Sequence, residues 1–209
     1  MADLNAISNT LIKGDAGNLT LQVQAALEEG TAASDILNKA LIAGMDVVGE
    51  HMENGDMFIP EVLMSAKAMS GALGILKPLL TDEESKSAGK IIIGTVKGDL
   101  HDIGKNLVAM MLESAGFEVV NLGVDIAPEA FVEAVKEHQP NLIGLSALLT
   151  TTMTQMQKTV DALKESGLRS QVKILVGGAP VTEKFAREIG ADGYAPDAGS
   201  AGKLARSLT

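Results

Sequence analysis

IIIGTVKGDLHDIGKNLVAMMLES, residues 91–114, reads as three pieces in succession. The first, IIIGTV, is a short run of β-branched and small residues, the pattern of a strand buried on both faces. Residues 104–115 carry helical periodicity. Between them lies VKGDLHDIG, a loop with two glycines and a histidine flanked by aspartates. Strand, loop and helix in this order open a βαβ unit. The alternation continues down the chain: FEVVNL, NLIGLS, KILVGG and ADGYA are separated by helical stretches near 128–138, 152–166, 182–189 and 198–208. Five strands and five helices predict a doubly wound α/β domain around a parallel sheet.

Upstream the period changes. Leu37, Leu41, Met45, Val48 and Met52 recur at helical spacing, and Val62, Ala66, Met69, Leu73, Leu76 and Leu80 do so after Pro60, a residue suited to a first helical turn. Leu4, Ile7 and Leu11 mark a shorter helix, and Leu19, Val23 and Leu27 another. Four amphipathic segments predict a small up-down bundle. TDEESKSAG, residues 81–89, is polar and small and reads as a linker. The expected organisation is a helical domain with its linker over 1–88 and an α/β domain over 89–209.

Composition narrows the function. The chain has 209 residues, 46% of them hydrophobic, with 2% aromatic, no Trp and no Cys. Disulfides, zinc–thiolate sites and thiol nucleophiles are therefore excluded. The net charge of −10 opposes nucleic-acid binding, which depends on neutralising phosphates. Residues 1–88 hold 13 acids and 5 bases (−8), and residues 89–209 hold 14 and 12 (−2). MADLNAISNT lacks a signal-peptide pattern, and no run of 18 apolar residues occurs. A cytoplasmic protein with no membrane partner is expected.

In open α/β sheets ligands bind beyond the carboxyl ends of the strands, where strand order reverses. For a flavodoxin-like order that point lies between the first and third strands. There the loop VKGDLHDIG meets SALLTTT, residues 146–152, with GGAP at 177–180 after the fourth strand. A lone loop histidine is commonly just solvated. A phosphate loop fits poorly, because Gly98 to Gly104 has five intervening residues and Asn106 stands where Ser or Thr is required. Zinc fits poorly too, since His51 and His138 lie on other elements. What remains is a single-histidine metal ligand whose other ring nitrogen donates to Asp99. One protein ligand suffices when a macrocycle supplies the others. Gly98 and Gly104 would let a large ring approach the backbone, and Gly177-Gly178 would leave a slot for something long.

The ordered set D-x-H-x-x-G (Asp99, His101, Gly104), S-x-L (Ser146, Leu148) and G-G (Gly177, Gly178) resembles the cobalamin-binding module shared by methionine synthase and the corrinoid methyltransferase proteins. The likeness covers the whole chain, because those corrinoid proteins carry a four-helix bundle ahead of the binding domain. The resemblance implies a bundle cap followed by a flavodoxin- or Rossmann-like domain with a five-stranded parallel sheet. It implies cobalamin bound with its dimethylbenzimidazole tail withdrawn, His101 as lower cobalt ligand, and Asp99 and Thr152 completing the catalytic set. Gly98, Leu100, Asp102, Ile103 and Gly104 would lie beside the corrin. Ser146, Leu148 and Thr150 would contact the tail, Gly177 and Gly178 would line its channel, and Ala198 would make a late contact. Met52 and Ile59 match the family's apolar cap positions.

The function so implied is a methyl carrier. It would accept methyl on cobalt(I) from a donor-specific methyltransferase acting on methanol, a methylamine, betaine or an aromatic methyl ether. It would deliver methyl to an acceptor methyltransferase acting on tetrahydrofolate or a thiol, and a reductive activator of cobalt(II) would restore it. Such a chain is a carrier subunit more than a complete catalyst. The rival readings are a cobalamin-dependent regulator and the small subunit of an adenosylcobalamin mutase. The acidic, Trp-free first half opposes the former and the cap-like bundle opposes the latter.

Overall fold

The computed structural model describes residues 2–80 and 88–209. The chain falls into two compact units, Met1–Ser87 with Ser114–Gly116, and Ala88–Glu113 with Phe117–Thr209. The expected linker therefore falls, over 81–87, outside the described residues.

The first unit is helical: α1 (Leu4–Ile12), α2 (Ala16–Glu28), α3 and α4 (Ile59–Leu76). Helix α3 runs through Ala33–Asp35, a π-helical stretch Ile36–Ile42, and Ala43–Asn54. Asp3 and Asp15 start α1 and α2 by accepting N–H groups of Ala6 (3.1 Å) and Asn18 (3.1 Å), the bonds that cap a helix N-terminus. Gly55, at φ 78°, ends α3 in the left-handed conformation that glycine adopts without a Cβ penalty. The π stretch departs from the regular helix the sequence predicts, and the reason lies in the buried side chains. Ile36, Ala40, Gly44 and Val48 are all buried, a repeat of four that outruns a 3.6-residue turn and is kept on one face by wider turns.

Helix α4 with its short 3₁₀ extension, Ile59–Leu79, is long and apolar enough by length and composition to cross a membrane, with mean hydropathy 1.2. It nevertheless carries Glu61 and Lys67, and it buries Val62, Ala66, Met69, Ala72 and Leu76 within the bundle, where it packs against α2. It ends at Leu76, short of Leu80; Leu73 and Leu80 of the expected stripe are half-buried.

The second unit is the doubly wound domain that the sequence predicts. Strands β1 (Lys90–Val96), β2 (Glu118–Ile126), β3 (Leu142–Ser146), β4 (Lys173–Gly177) and β5 (Gly193–Tyr194) alternate with α5 (Ile103–Ser114), α6 (Pro128–His138), α7 (Met153–Glu165), α8 (Glu183–Ile189) and α9 (Ala198–Leu208). The sheet is five-stranded in the order β2-β1-β3-β4-β5, and every pair is parallel. Strand order reverses between β1 and β3, which fixes the ligand end of the sheet. Register places Thr95, Ser146 and Gly177 in one row at that end.

Two details shape this end. Strand β2 runs on to Ile126, past the end of FEVVNL, with register shifts against β1 around Gly94. Gly94 itself makes room for Phe131 of α6, because a Cβ there would lie 2.8 Å from the Phe131 ring. Phe131 is fully buried, so Phe131→Ala should cost about 3–5 kcal/mol, read as a lower urea midpoint with an unchanged denaturant slope.

Candidate functional site

Asp99 is the innermost residue of the β1–α5 loop, with its side chain fully buried. Its Oδ1 accepts the backbone N–H of His101 (3.1 Å) and lies 2.7 Å from His101 Nδ1. Its Oδ2 accepts the N–H groups of Leu148 (2.8 Å) and Leu149 (3.2 Å) from the β3–α7 loop. Thr152 Oγ1 stands 2.7 Å from the same oxygen and 2.9 Å from the Leu149 carbonyl. A hydroxyl has one proton, and the charged acceptor is the stronger claimant. Among the three consecutive threonines it is thus Thr152 that reaches Asp99, while Thr150 and Thr151 are exposed.

Burial pushes the Asp99 carboxyl up, but the bonds from Thr152, His101 and Leu148 outweigh it and hold the group well below the usual carboxylate range. An ionised carboxylate only accepts. His101 Nδ1, at 2.7 Å, must therefore carry the proton, which leaves the lone pair on Nε2. The His101 side chain is 51% exposed, and no described residue bonds Nε2. The imidazole is a fixed tautomer with its basic nitrogen facing out.

Around it the surface is apolar. Leu100 and Ile103 are 72% and 75% exposed, and Leu148 and Leu149 are 44% and 41% exposed. Thr95, buried at the end of β1, donates its hydroxyl to the His101 carbonyl (2.9 Å). Gly98 sits at φ 80°, a conformation that favours glycine. Gly104 has no neighbour within 4 Å of a notional Cβ, so packing within the chain does not require a glycine there. Asp102 is exposed and accepts from the Asn106 side chain (3.0 Å).

Other residues singled out in the sequence take different places. Ser146 is half-buried at the end of β3. Gly178 has φ 125°, and a Cβ there would come 1.9 Å from the Ala147 carbonyl oxygen; one on Gly177 would lie 3.2 Å from that of Ala195. Gly178 is thus demanded by close approach of the chain's own loops, and Gly177 sits in a tight contact that a side chain could enter only if Ala195 gave way slightly. Ala198 is buried in the first turn of α9, which Asp197 caps by accepting the Ser200 N–H (2.8 Å). In the helical unit, Met52 is half-buried and Ile59 is 43% exposed, so both lie outside the buried core.

Sequence reading misses a second layer on β2. Lys105 is buried, and its Nζ donates to Asn106 Oδ1 (2.6 Å) and Asn121 Oδ1 (2.7 Å). Burial lowers the Lys105 pKa, and the nearby Asp102 carboxylate partly offsets that. Asp125, also on β2, accepts the Gly98 N–H (2.7 Å) and donates its own N–H to the Asp99 carbonyl (3.0 Å). Its φ of 57° gives no sign in the sequence.

Residues 89–201 match the B12 binding domain family, and residues 3–77 match a second B12 binding domain family. The chain belongs to the B12-binding family. Trimethylamine corrinoid protein 1 of Methanosarcina mazei is 47% identical over 175 residues, covering 83% of this chain and 81% of that protein. The crystal structure of a cobalamin-binding protein from Desulfitobacterium hafniense is 37% identical, with a TM-score of 0.88 and full coverage of both chains. The methanol:cobalamin methyltransferase complex of Methanosarcina barkeri contains a chain 32% identical, with a TM-score of 0.83, covering 97% of this chain and 77% of that one.

The residues present fit a B12 cofactor on physical grounds. No group of three or more His, Cys, Asp or Glu able to hold a metal occurs among the described residues. A metal at His101 therefore has to bring its other ligands with it. An exposed apolar rim around one outward nitrogen, beside a glycine with open space over its Cα, suits a broad ring that does so.

Two measurements check the site. Because the folded pKa of Asp99 lies below its unfolded value of about 3.9, its stabilising contribution is fully present above about pH 5 and is lost as pH falls below about 4. The urea stability gap between the wild-type apoprotein and Asp99→Asn should accordingly narrow from pH 5 to pH 3. In Gly178→Ala the Ala147 carbonyl must move, dragging the Leu148 N–H from Asp99. Cobalamin retention should drop, measured by dialysis, alongside a lower melting temperature.

Proposed function

We propose that this chain is a corrinoid methyl carrier, in which residues 1–88 form a cap domain and residues 89–209 hold the cofactor. The observation that carries the reading is the exposed Nε2 of His101, fixed in tautomer by a buried, ionised Asp99. Cobalamin, when bound, supplies a cobalt centre that takes up and gives up methyl groups. His101 would be its lower ligand, with the cofactor's benzimidazole tail withdrawn toward the β3 and β4 ends near Ser146, Thr150, Gly177 and Gly178. Leu100, Ile103 and Leu148 would cover the lower face of the ring.

Asp99 has two tasks. It keeps the proton on Nδ1, and by sharing that proton it makes Nε2 a better donor. Thr152 donates its hydroxyl to the carboxylate and would keep Asp99 ionised beside the His101 ring. Met52 and Ile59 would shield the opposite face. An apolar cover excludes water, and methionine adapts its shape readily, which suits a cover that has to withdraw.

The partner would be a donor-specific methyltransferase, a reading supported by the complex from Methanosarcina barkeri. The likeness to a trimethylamine corrinoid protein favours a methylated amine as donor, with methanol the second class. An acceptor methyltransferase and a reductive activator complete the cycle. The acidic first half (13 acids against 5 bases, −8) weighs against a DNA-binding regulator.

The test is spectroscopic. Electron paramagnetic resonance of the cobalt(II) holoprotein should show splitting from one axial nitrogen, lost in His101→Ala. Histidine labelled with ¹⁵N should change that splitting. A splitting that follows label in the benzimidazole instead would sink the assignment.

A further inference from the structure

We infer that Asp125 is a positioning residue for His101, acting from the neighbouring strand; the inference rests on His101 being the cobalt ligand. Asp125 is one of only two non-glycine residues among those described with positive φ, at 57°. That conformation is uncommon for a residue with a Cβ, even for aspartate, which tolerates it better than most, and it persists where surrounding contacts fix it. Glycine would take the same turn freely. What aspartate adds is its carboxylate, and that carboxylate is in use.

Asp125 Oδ1 accepts the Gly98 N–H at 2.7 Å, and the Asp125 N–H donates to the Asp99 carbonyl at 3.0 Å. The two bonds grip the loop on either side of the Gly98–Asp99 peptide. Gly98 needs such a restraint, because at φ 80° it has the widest conformational choice of any residue type. The next link is Asp99 itself. Its Oδ1 must meet both the N–H and Nδ1 of His101 while its Oδ2 meets Leu148 and Thr152. A rotation at Gly98 would swing the Asp99 backbone and spoil one of those sets. Asp125 therefore sets the direction of the His101 ring although it lies on another strand and does not bond the ring.

The β2 side offers one further tie. Asn121 accepts from Lys105 Nζ (2.7 Å) in the first turn of α5, just past the same loop. Residues 98–105 are thus pinned to β2 at both ends, and Asp125 holds the end nearer His101.

Three variants separate this role from that of a strained turn. Asp125→Gly removes strain and carboxylate together, Asp125→Asn keeps an acceptor oxygen and tolerates positive φ, and Asp125→Ala keeps the strain without the acceptor. In the apoprotein, ¹⁵N chemical shifts of the His101 ring should report the Nδ1-protonated tautomer in wild type and Asp125→Asn. Asp125→Gly and Asp125→Ala should show mixed tautomers. In the holoprotein, cobalamin should dissociate roughly 10–100-fold more readily from Asp125→Gly, with a weaker axial-nitrogen splitting, and Asp125→Asn should restore both. Melting temperature should change little in Asp125→Gly, since relief of the backbone conformation offsets the lost Gly98 bond. If Asp125→Gly folds and keeps the wild-type tautomer and cofactor affinity, Asp125 is only a turn residue and the inference is overturned. If the Gly variant fails to fold, an Asp125→Ala protein with wild-type tautomer and cofactor affinity would overturn it equally. Failure of the ligation reading would look different: wild type itself would lack the His101 nitrogen signal, while the apoprotein tautomer pattern would stand.

Discussion

A carboxylate sealed from water has to be bonded on nearly every lone pair, or it would not stay charged. Asp99 meets that requirement with hydrogen bonds, and no Lys or Arg among the described residues pairs with it. It collects N–H groups from Leu148 and Leu149, the hydroxyl of Thr152, and both the backbone and ring of His101. Each bond draws a different piece of chain to one point, so the loops after β1 and β3 are held together by one anion. The outward nitrogen of His101 is a consequence of that inward demand.

The fold makes the convergence possible. In the order β2-β1-β3-β4-β5, β1 and β3 are neighbours and their connections leave on opposite faces, opening the crevice where ligands sit in such sheets. Thr95, Ser146 and Gly177 share a row, so the three loops begin level with one another. At the opposite end, Asp192 accepts the Ile174 N–H (2.8 Å) and pairs with Arg169 (2.8 Å), closing the sheet with ordinary structural bonds.

Much of this is legible in the sequence. The five strands read as short apolar runs because a parallel sheet buries both faces, and the histidine loop stands out because it interrupts such a run with polar residues and glycines. The rest is not legible, for identifiable reasons. Nothing local distinguishes Thr152 from Thr150 and Thr151; only the first turn of α7 decides which hydroxyl faces Asp99. Asp125 looks like any acid at a strand end, since its left-handed backbone arises where β2 and β1 lose register. Gly177-Gly178 invites a slot for a ligand, yet the nearest atom to a side chain at 178 would be a carbonyl of the chain itself. Backbone-to-backbone distances of that kind leave no trace in hydrophobic periodicity.

The π-helical stretch Ile36–Ile42 in α3 also bears on how the bundle tolerates changes in chain length. A wide turn is a helix holding more residues than its rise requires. Deleting one residue there lets the segment settle into a 3.6-residue repeat, with Met45 and Val48 still facing inward. The same deletion in the regular turns of α4 would rotate everything beyond it by about 100° and turn Met69 and Leu76 out of the core. The bundle thus keeps one segment where a length change is absorbed locally, in the helix that carries Met52 in its last turn.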